Sequence, residues 1–164
     1  MNVKVPKSAR PSLELERFLP YRLNVVAESV SRALSRHYAE RYGIGVPEWR
    51  VIATLGEHGR MTAKQVGAHS RMHKTKVSRA VAALEEKGLI RREPNEEDMR
   101  EAFLALTGRG LHVYRDLVPR ALAFERALDK SLGNSERAHL DAILRRLEDR
   151  AQELDVDVIH EDVP

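Results

Sequence analysis

The segment from residue 61 to residue 90 constrains the fold most, because it contains the start and stop signals of two short helices separated by a tight break. Thr62 and Gln65 have the spacing of a capping box, which predicts a first helix from Thr62 to about residue 69. A second helix is predicted over about 73–87, and Gly88 suits the left-handed position that follows a helix end. This order is typical of a helix-turn-helix, whose second helix lies in a DNA major groove.

Positive charge is gathered in the same segment, although the whole chain has a formal net charge of only +3. No acidic residue occurs between Glu57 and Glu85. Contacts with phosphates supply much of the affinity of proteins for nucleic acid, so this distribution predicts a DNA-binding surface. The basic residues of the interval are Arg60, Lys64, Arg71, Lys74, Lys76 and Arg79.

The candidate DNA contacts lie on both helices. Residues at the start of a recognition helix reach base edges, and arginine can bind guanine through two hydrogen bonds. Lys64 and Gln65 lie near the start of the preceding helix, whose free N–H groups suit a phosphate. The alternative is an ordinary solvated helix face. The candidates for base contacts on the second helix are Lys74, Thr75, Lys76, Ser78 and Arg79.

Further helices are predicted on both sides. Apolar residues recur at helical spacing from Leu13 to Tyr42 and again over 47–57. Thr107 is expected to cap a fifth helix, which Pro119 should kink. A sixth helix is capped near 133–135 and has a heptad-like apolar stripe, typical of a dimer contact.

Two short strands, 89–93 and 102–106, are joined by a charged loop and predict a β-hairpin, or wing. Arg100 in this loop fits a narrow minor groove, and Asp98 could hold its guanidinium in place. The alternative is a surface charge on a loose hairpin. The predicted fold class is therefore mainly α with a small β-hairpin wing.

Other functions have little support in the sequence. Cysteine is absent, which excludes disulfides and thiolate chemistry. No catalytic motif occurs, so we expect no enzyme, no catalytic residues and no cofactor. Only His69 and His73 have a helical ligand spacing, and they straddle a turn, so we expect no metal. Without a membrane-spanning run or a secretory signal, we expect no membrane partner and a cytoplasmic protein.

A ligand site is predicted where the first, second and fifth helices converge. Aromatic walls and one or two cations would suit a carboxylate or phosphate. Trp49 could equally be plain core, and His37 could be an interface histidine. The candidate residues are Arg36, His37, Tyr38, Trp49 and Tyr114.

The chain resembles the MarR family of winged helix-turn-helix repressors from about residue 13 to 154. The likeness is carried by GIGVPEWRVIATL, by MTAKQVGAHSRMHKTKVSRAVAALEEKGLI, and by Asp98-Met99-Arg100 followed by Leu104-Ala105-Leu106-Thr107. It departs from the family at Met99, where a second arginine is common, and in its unusually acidic wing.

The resemblance implies a homodimer that binds a pseudo-palindromic operator in double-stranded DNA and is most often a repressor released by a small anionic aromatic. The string RLNVVAESVSRALSRHYAERYGI is similar to members that control catabolism of aromatic acids, some of which respond to CoA thioesters. CoA phosphates could then meet Arg22, Arg32, Arg36 and Arg41. The alternative is a winged-helix module that binds other proteins, without ligand-controlled DNA binding.

The expected organisation has five parts within one MarR-type domain. Residues 1–12 form a basic arm, which is either a disordered tail or a DNA contact. A dimerisation helix over 13–46 precedes the winged helix-turn-helix over 47–107. Dimerisation helices over 108–154 and an acidic tail over 155–164 complete the chain.

Overall fold

A computed structural model describes residues 12–96 and 98–154. The predicted basic arm, apart from residue 12, and the predicted acidic tail lie outside these residues. The described part is mainly helical with a small antiparallel sheet, which confirms the predicted fold class. After a 3-10 turn at Leu15–Arg17, the elements are α1 (Leu19–Tyr42), α2 (Val46–His58), β1 (Met61–Thr62), α3 (Ala63–Ser70), α4 (Lys74–Glu86), β2 (Ile90–Glu93), β3 (Phe103–Leu106), α5 (Gly108–Asp129) and α6 (Asn134–Glu153).

The helix-turn-helix forms where its start and stop signals predicted it. The backbone N–H of Gln65 donates to Thr62 Oγ1 at 3.3 Å, and the N–H of Thr62 donates to Gln65 Oε1 at 2.8 Å. This reciprocal pair is the predicted capping box. Arg71 ends α3 in the left-handed region, with φ of 53°. Gly88 follows α4 with φ of 65°, also as predicted.

The wing contains one more strand than the sequence predicted. Strand β3 lies in the centre of the sheet, between β1 and β2, and is antiparallel to both. Met61 pairs with Leu104 and Thr62 with Phe103. A strand of two residues is too short to show alternation, so β1 has no sequence signature. It joins the start of α3 to the base of the wing.

The hydrophobic core lies under the helix-turn-helix. Val77, Ala80, Val81 and Leu84 of α4 are all buried, as their helical spacing predicted. They pack with residues of α2, α3 and the wing strands in one cluster, against which Trp49 is partly buried. Because the inner face of α4 is fixed by this cluster, its opposite face is held towards solvent.

The first helix begins later than predicted. The chain makes the 3-10 turn and then starts α1 at Leu19, with Pro20 in the first turn, where its missing N–H costs nothing. Tyr38 is the buried residue of α1, whereas Leu19, Leu23 and Val26 expose 49%, 40% and 61% of their surfaces in the single chain.

The chain divides into two compact units between Leu117 and Val118, within α5. In the second unit, α5 continues as a helix beyond Pro119. Arg137 of α6 forms ion pairs with Asp141 at 2.5 Å and with Asp129 at 3.1 Å, and the Asp141 carboxylate is the main cause of the raised pKa of Arg137. The apolar residues exposed in this unit are Leu122, Leu128, Leu140, Ile143, Leu144 and Leu154. Within the described residues, no helix is both long and apolar enough to cross a bilayer.

Candidate nucleic-acid interface

The predicted base-contacting residues share the solvent face of α4. The first two turns of the helix carry no acidic residue. His73 caps the helix, since its Nδ1 accepts the backbone N–H of Thr75 at 3.4 Å. The helix start is therefore ordered, and its polar side chains project away from the core. The exposed candidates are Lys74, Thr75, Lys76, Ser78 and Arg79.

The two candidates at the start of α3 differ in whether the side chain already makes a contact within the protein. Both Lys64 and Gln65 are exposed. The Gln65 carboxamide oxygen, however, accepts the Thr62 N–H in the capping box. Its NH2 group takes no part in the capping box. Gln65 can therefore contact a phosphate only while it also holds the helix start, whereas Lys64 has no such structural role among the described contacts.

Arg60 belongs to the base of the wing, although the charge pattern counted it with the DNA-binding residues. Its guanidinium lies 4.7 Å from the centre of the Phe103 ring and 3.9 Å from a Glu93 carboxylate oxygen. Arg92 of β2 forms a second link, since its Nε donates to Glu85 of α4 at 2.8 Å. These contacts join the sheet to the helices on which the candidate DNA contacts lie.

The wing loop is shaped by side chains that bind backbone. Asp98 Oδ1 accepts the backbone N–H of Arg100 at 2.9 Å, and Asn95 Oδ1 accepts the N–H of Asp98 at 3.3 Å. We predicted that Asp98 would hold the Arg100 guanidinium, whereas the contact that the structure shows is with the Arg100 backbone. Arg100 is exposed, and Met99 beside it exposes 94% of its surface.

Two of the predicted ligand residues are stacked. The rings of Tyr38 and Trp49 lie 5.7 Å apart between centres, at 23°. Tyr38 is 2% exposed, and burial raises the pKa of its hydroxyl to about 12. Tyr114 is partly buried, and its ring lies directly over Gly56 of α2. Arg36 and His37 are exposed on α1.

A cavity of about 550 Å³ lies between α1, α2 and the start of α4, and neither Tyr38 nor Trp49 lines it. Its lining includes the basic residues Arg32, Arg50 and Lys76 and the hydroxyls of Ser31 and Ser35. Arg32 is paired with Glu28 at 2.6 Å. The sequence pointed to the stack but missed Arg50, which no motif marks. Lys76 is the notable member, since it is also a candidate DNA contact.

Two of the described histidines lie close together. The rings of His58 in α2 and His69 in α3 lie 4.4 Å apart between centres. Across residues 12–96 and 98–154, no group of three or more histidine or carboxylate side chains is arranged to hold a metal ion.

The described chain has a helix-turn-helix over a buried core, a basic and exposed second helix, and an antiparallel wing. These features define the winged helix-turn-helix class of DNA-binding protein. Residues 42–101 match the model of the MarR family. Over that match and over the relatives described below, the chain is similar to MarR-family transcriptional regulators.

Some relatives are similar to this chain in sequence, and others are solved structures that are similar to it in fold. The HTH-type transcriptional regulator PecS of Dickeya dadantii is 27% identical over 146 residues, which are 87% of each chain. A MarR/EmrR family regulator from Acinetobacter is 26% identical, with a TM-score of 0.78 over 87% of this chain and 100% of its own. A mutant MarR from E. coli, solved with operator DNA, is 21% identical, with a TM-score of 0.72 over 79% of this chain and 92% of its own.

Proposed function

We propose that this protein is a ligand-responsive transcriptional regulator that binds a pseudo-palindromic operator as a homodimer, and that it represses until a small molecule releases it. The observation that carries the proposal is the exposed basic face on the first two turns of α4. That face stands opposite the buried side of the same helix, as a recognition helix requires. The proposal assigns the protein no catalytic step and places it in the cytoplasm.

The proposed DNA contacts fall into two kinds. Arg79 and Lys76 on α4 would contact base edges, while Lys64 at the start of α3 would contact a phosphate. Arg100 on the wing loop would enter the adjacent minor groove. Operator DNA bound to E. coli MarR supports a DNA role for this shared fold.

Alanine variants test this division. Arg79→Ala should cost about 1–3 kcal/mol on the operator and relax preference at one position of each half-site. Lys64→Ala should weaken all sequences alike and reduce the slope of log affinity against log salt by about one. Arg115→Ala, an exposed arginine of α5, is the matched control and should change neither property. Fluorescence anisotropy on operator and random duplexes measures both.

The same titration separates DNA binding from a protein-docking role. A dimer that neutralises several phosphates should lose affinity steeply as salt rises, with a slope of about −0.9 for each phosphate. If affinity for duplex DNA were salt-independent, or if all the variants behaved alike on specific and random DNA, the winged-helix docking module would be the better assignment.

We propose that the exposed apolar residues of α1 and α6 are buried between two copies of the chain. Soluble monomers rarely expose apolar patches of this extent, and obligate interfaces commonly bury more than about 2,000 Å². Light scattering on the intact protein should give the dimer mass at micromolar concentration. Removing the chain after Gly133 should yield insoluble or monomeric protein without operator binding. A monomeric truncation that bound its operator with full affinity would contradict this assignment.

We propose a small anionic aromatic acid, or its CoA thioester, as the effector. The support is a cavity lined by Arg32, Arg50 and Lys76, together with the stacked pair of Tyr38 and Trp49 on the same two helices, α1 and α2. Several cations around one cavity suit such an anion. Arg22, Arg32 and Arg36 remain candidates for CoA phosphates. Arg41 is a weaker one, since its Nε donates to Asp116 at 2.7 Å.

Lys76 gives this effector a route to DNA affinity, because it lines the cavity and lies on the DNA-facing turns of α4. A ligand that occupies Lys76, or that favours a spacing of the two recognition helices other than the roughly 34–36 Å of one DNA turn, weakens operator binding. A coupling of about 1–3 kcal/mol corresponds to about 5–150-fold.

Calorimetry with and without operator tests this coupling. Linkage requires that the operator lower the affinity for the effector by the same factor by which the effector lowers the affinity for the operator. A thermal-shift screen of aromatic acids and their CoA esters would supply the ligand. Arg50→Gln should weaken the ligand while leaving ligand-free operator affinity unchanged. Equal ligand affinity in the two titrations would show that the protein is a constitutive DNA binder.

A further inference from the structure

A second cavity, of about 520 Å³, lies where the end of α1, the end of α4 and the start of α5 meet. It is at the opposite end of α4 from the candidate DNA contacts, and it shares no lining residue with the cavity that holds Lys76. The residues that matter for its chemistry are Tyr42, Lys87, Leu89, Arg109, His112 and Val113.

The basic side chains of this cavity are exposed and lie beside the helix ends. Lys87 Nζ lies 3.8 Å from the position that a Cβ would occupy on Gly43, after the end of α1. An Arg109 guanidinium nitrogen lies 3.4 Å from the corresponding position on Gly88, after the end of α4. Both cationic groups therefore lie close to the backbone at the helix ends. His112 lines the same cavity one turn beyond Arg109.

In the part of the chain that the structure describes, neither Lys87 nor Arg109 forms an ion pair with a carboxylate. The acid one turn beyond His112 is Asp116, which already accepts hydrogen bonds from Arg41 at 2.7 Å and from the Tyr42 hydroxyl at 2.9 Å. The convergence of Lys87 and Arg109 without a counter-charge therefore favours binding of an anion.

The floor of the cavity is apolar. Leu89 and Val113 are 5% and 4% exposed, and the Tyr42 ring forms a wall. An ammonium and a planar guanidinium together offer more donors than one carboxylate can accept, but they suit the several oxygens of a phosphate. We propose that this cavity binds a small organic phosphate, with the phosphate held by Lys87 and Arg109 and the apolar group resting on Leu89 and Val113.

This site lies where the two ends of the wing segment meet, so a bound phosphate would act on the wing. Lys87 follows the last residue of α4 and Arg109 lies in the first turn of α5, so the wing is the segment between them. A phosphate that contacts both side chains joins the two ends of that segment. This site and its test are independent of the effector site proposed above and of DNA binding.

Phenyl phosphate and inorganic phosphate are suitable probes for the full chain. We expect phenyl phosphate, titrated at constant ionic strength and followed by amide NMR, to shift the signals of residues 87–89 and 108–113 in a saturable way. Inorganic phosphate should shift the same signals and bind more weakly, because it cannot use the apolar floor.

The double variant Lys87→Gln/Arg109→Gln should bind phenyl phosphate about tenfold to a hundredfold more weakly, since it lacks both charge-assisted contacts. The matched control is Arg115→Gln/Arg126→Gln, which removes the same charge from exposed positions of α5. It should bind as the unaltered protein does.

Three results would overturn the proposal: no saturable shift in the unaltered protein, shifts that map to residues away from this cavity, or equal weakening by the double variant and its control. Because the mapping uses the unaltered protein, it decides the question even if the double variant folds poorly.

Discussion

Thr107 should control how firmly the wing and α5 are held to the end of the recognition helix. Its hydroxyl donates to the carbonyl of Gly88 at 2.8 Å and accepts the backbone N–H of Gly110 at 3.1 Å. The first bond reaches across the wing to the end of α4, and the second caps α5. One partly buried oxygen therefore joins three elements of the DNA-binding region.

The expected cost of removing this oxygen follows from its two bonds. Loss of a helix N-cap costs about 0.5–2 kcal/mol, and loss of a typical hydrogen bond costs about 0.5–1.5 kcal/mol. Thr107→Val keeps the shape of the side chain and removes both bonds, so it should lower the free energy of unfolding by about 1–3 kcal/mol. Thr107→Ser keeps the oxygen and should recover most of that loss.

Urea unfolding of the three proteins measures these differences, at matched protein concentration because the stability of the proposed dimer depends on concentration. Hydrogen exchange should show the loss concentrated at the first turn of α5 and at Gly88. The reasoning would be refuted if the valine variant were as stable as the unaltered protein, or if the serine variant were no more stable than the valine one.

Three further predictions follow from single contacts. Tyr38→Phe should remove a loss of stability at alkaline pH. The pKa of the Tyr38 hydroxyl is about 12 in the folded protein and about 10 in the unfolded chain, so above pH 10 the unfolded chain loses this proton first. In urea titrations at pH 11.5, the free energy of unfolding of the unaltered protein should fall by about 2 kcal/mol more than that of the variant. Arg60→Gln should reduce hydrogen-exchange protection around Phe103 and weaken operator binding, because Arg60 contacts the base of the wing. The slope of log affinity against log salt should stay the same, since a changed slope would mean that Arg60 contacts a phosphate. Gly56→Ala should lower the free energy of unfolding by about 1–3 kcal/mol, because the new Cβ would overlap the Tyr114 ring. In a Tyr114→Ala background the same substitution should be neutral or stabilising by up to about 1 kcal/mol. Equal effects in the two backgrounds would contradict this.

Local rules determined much of the DNA-binding region. The capping box at Thr62 and Gln65, the left-handed Gly88 and the cap at Thr107 all formed as predicted, because each depends on groups a few residues apart. The buried face of α4 was equally predictable, since helical spacing alone places its apolar residues on one side.

Contacts between distant segments were decided only by the tertiary structure. Strand β1 exists because Met61 and Thr62 meet Leu104 and Phe103, and two residues have no periodicity of their own. Pairing with Glu93 and Phe103 placed Arg60 at the wing base, although its charge resembled that of the neighbouring candidate DNA contacts.

The two cavities were likewise predictable from the sequence only in part. Aromatic and basic residues on α1 and α2 suggested a ligand site, but no spacing linked Arg50 to Lys76, or Lys87 to Arg109. Periodicity and caps specify which face of a helix is buried and where the helix ends. The partner of each exposed charge depends instead on how helices far apart in the chain pack, and that packing is a property of the whole core.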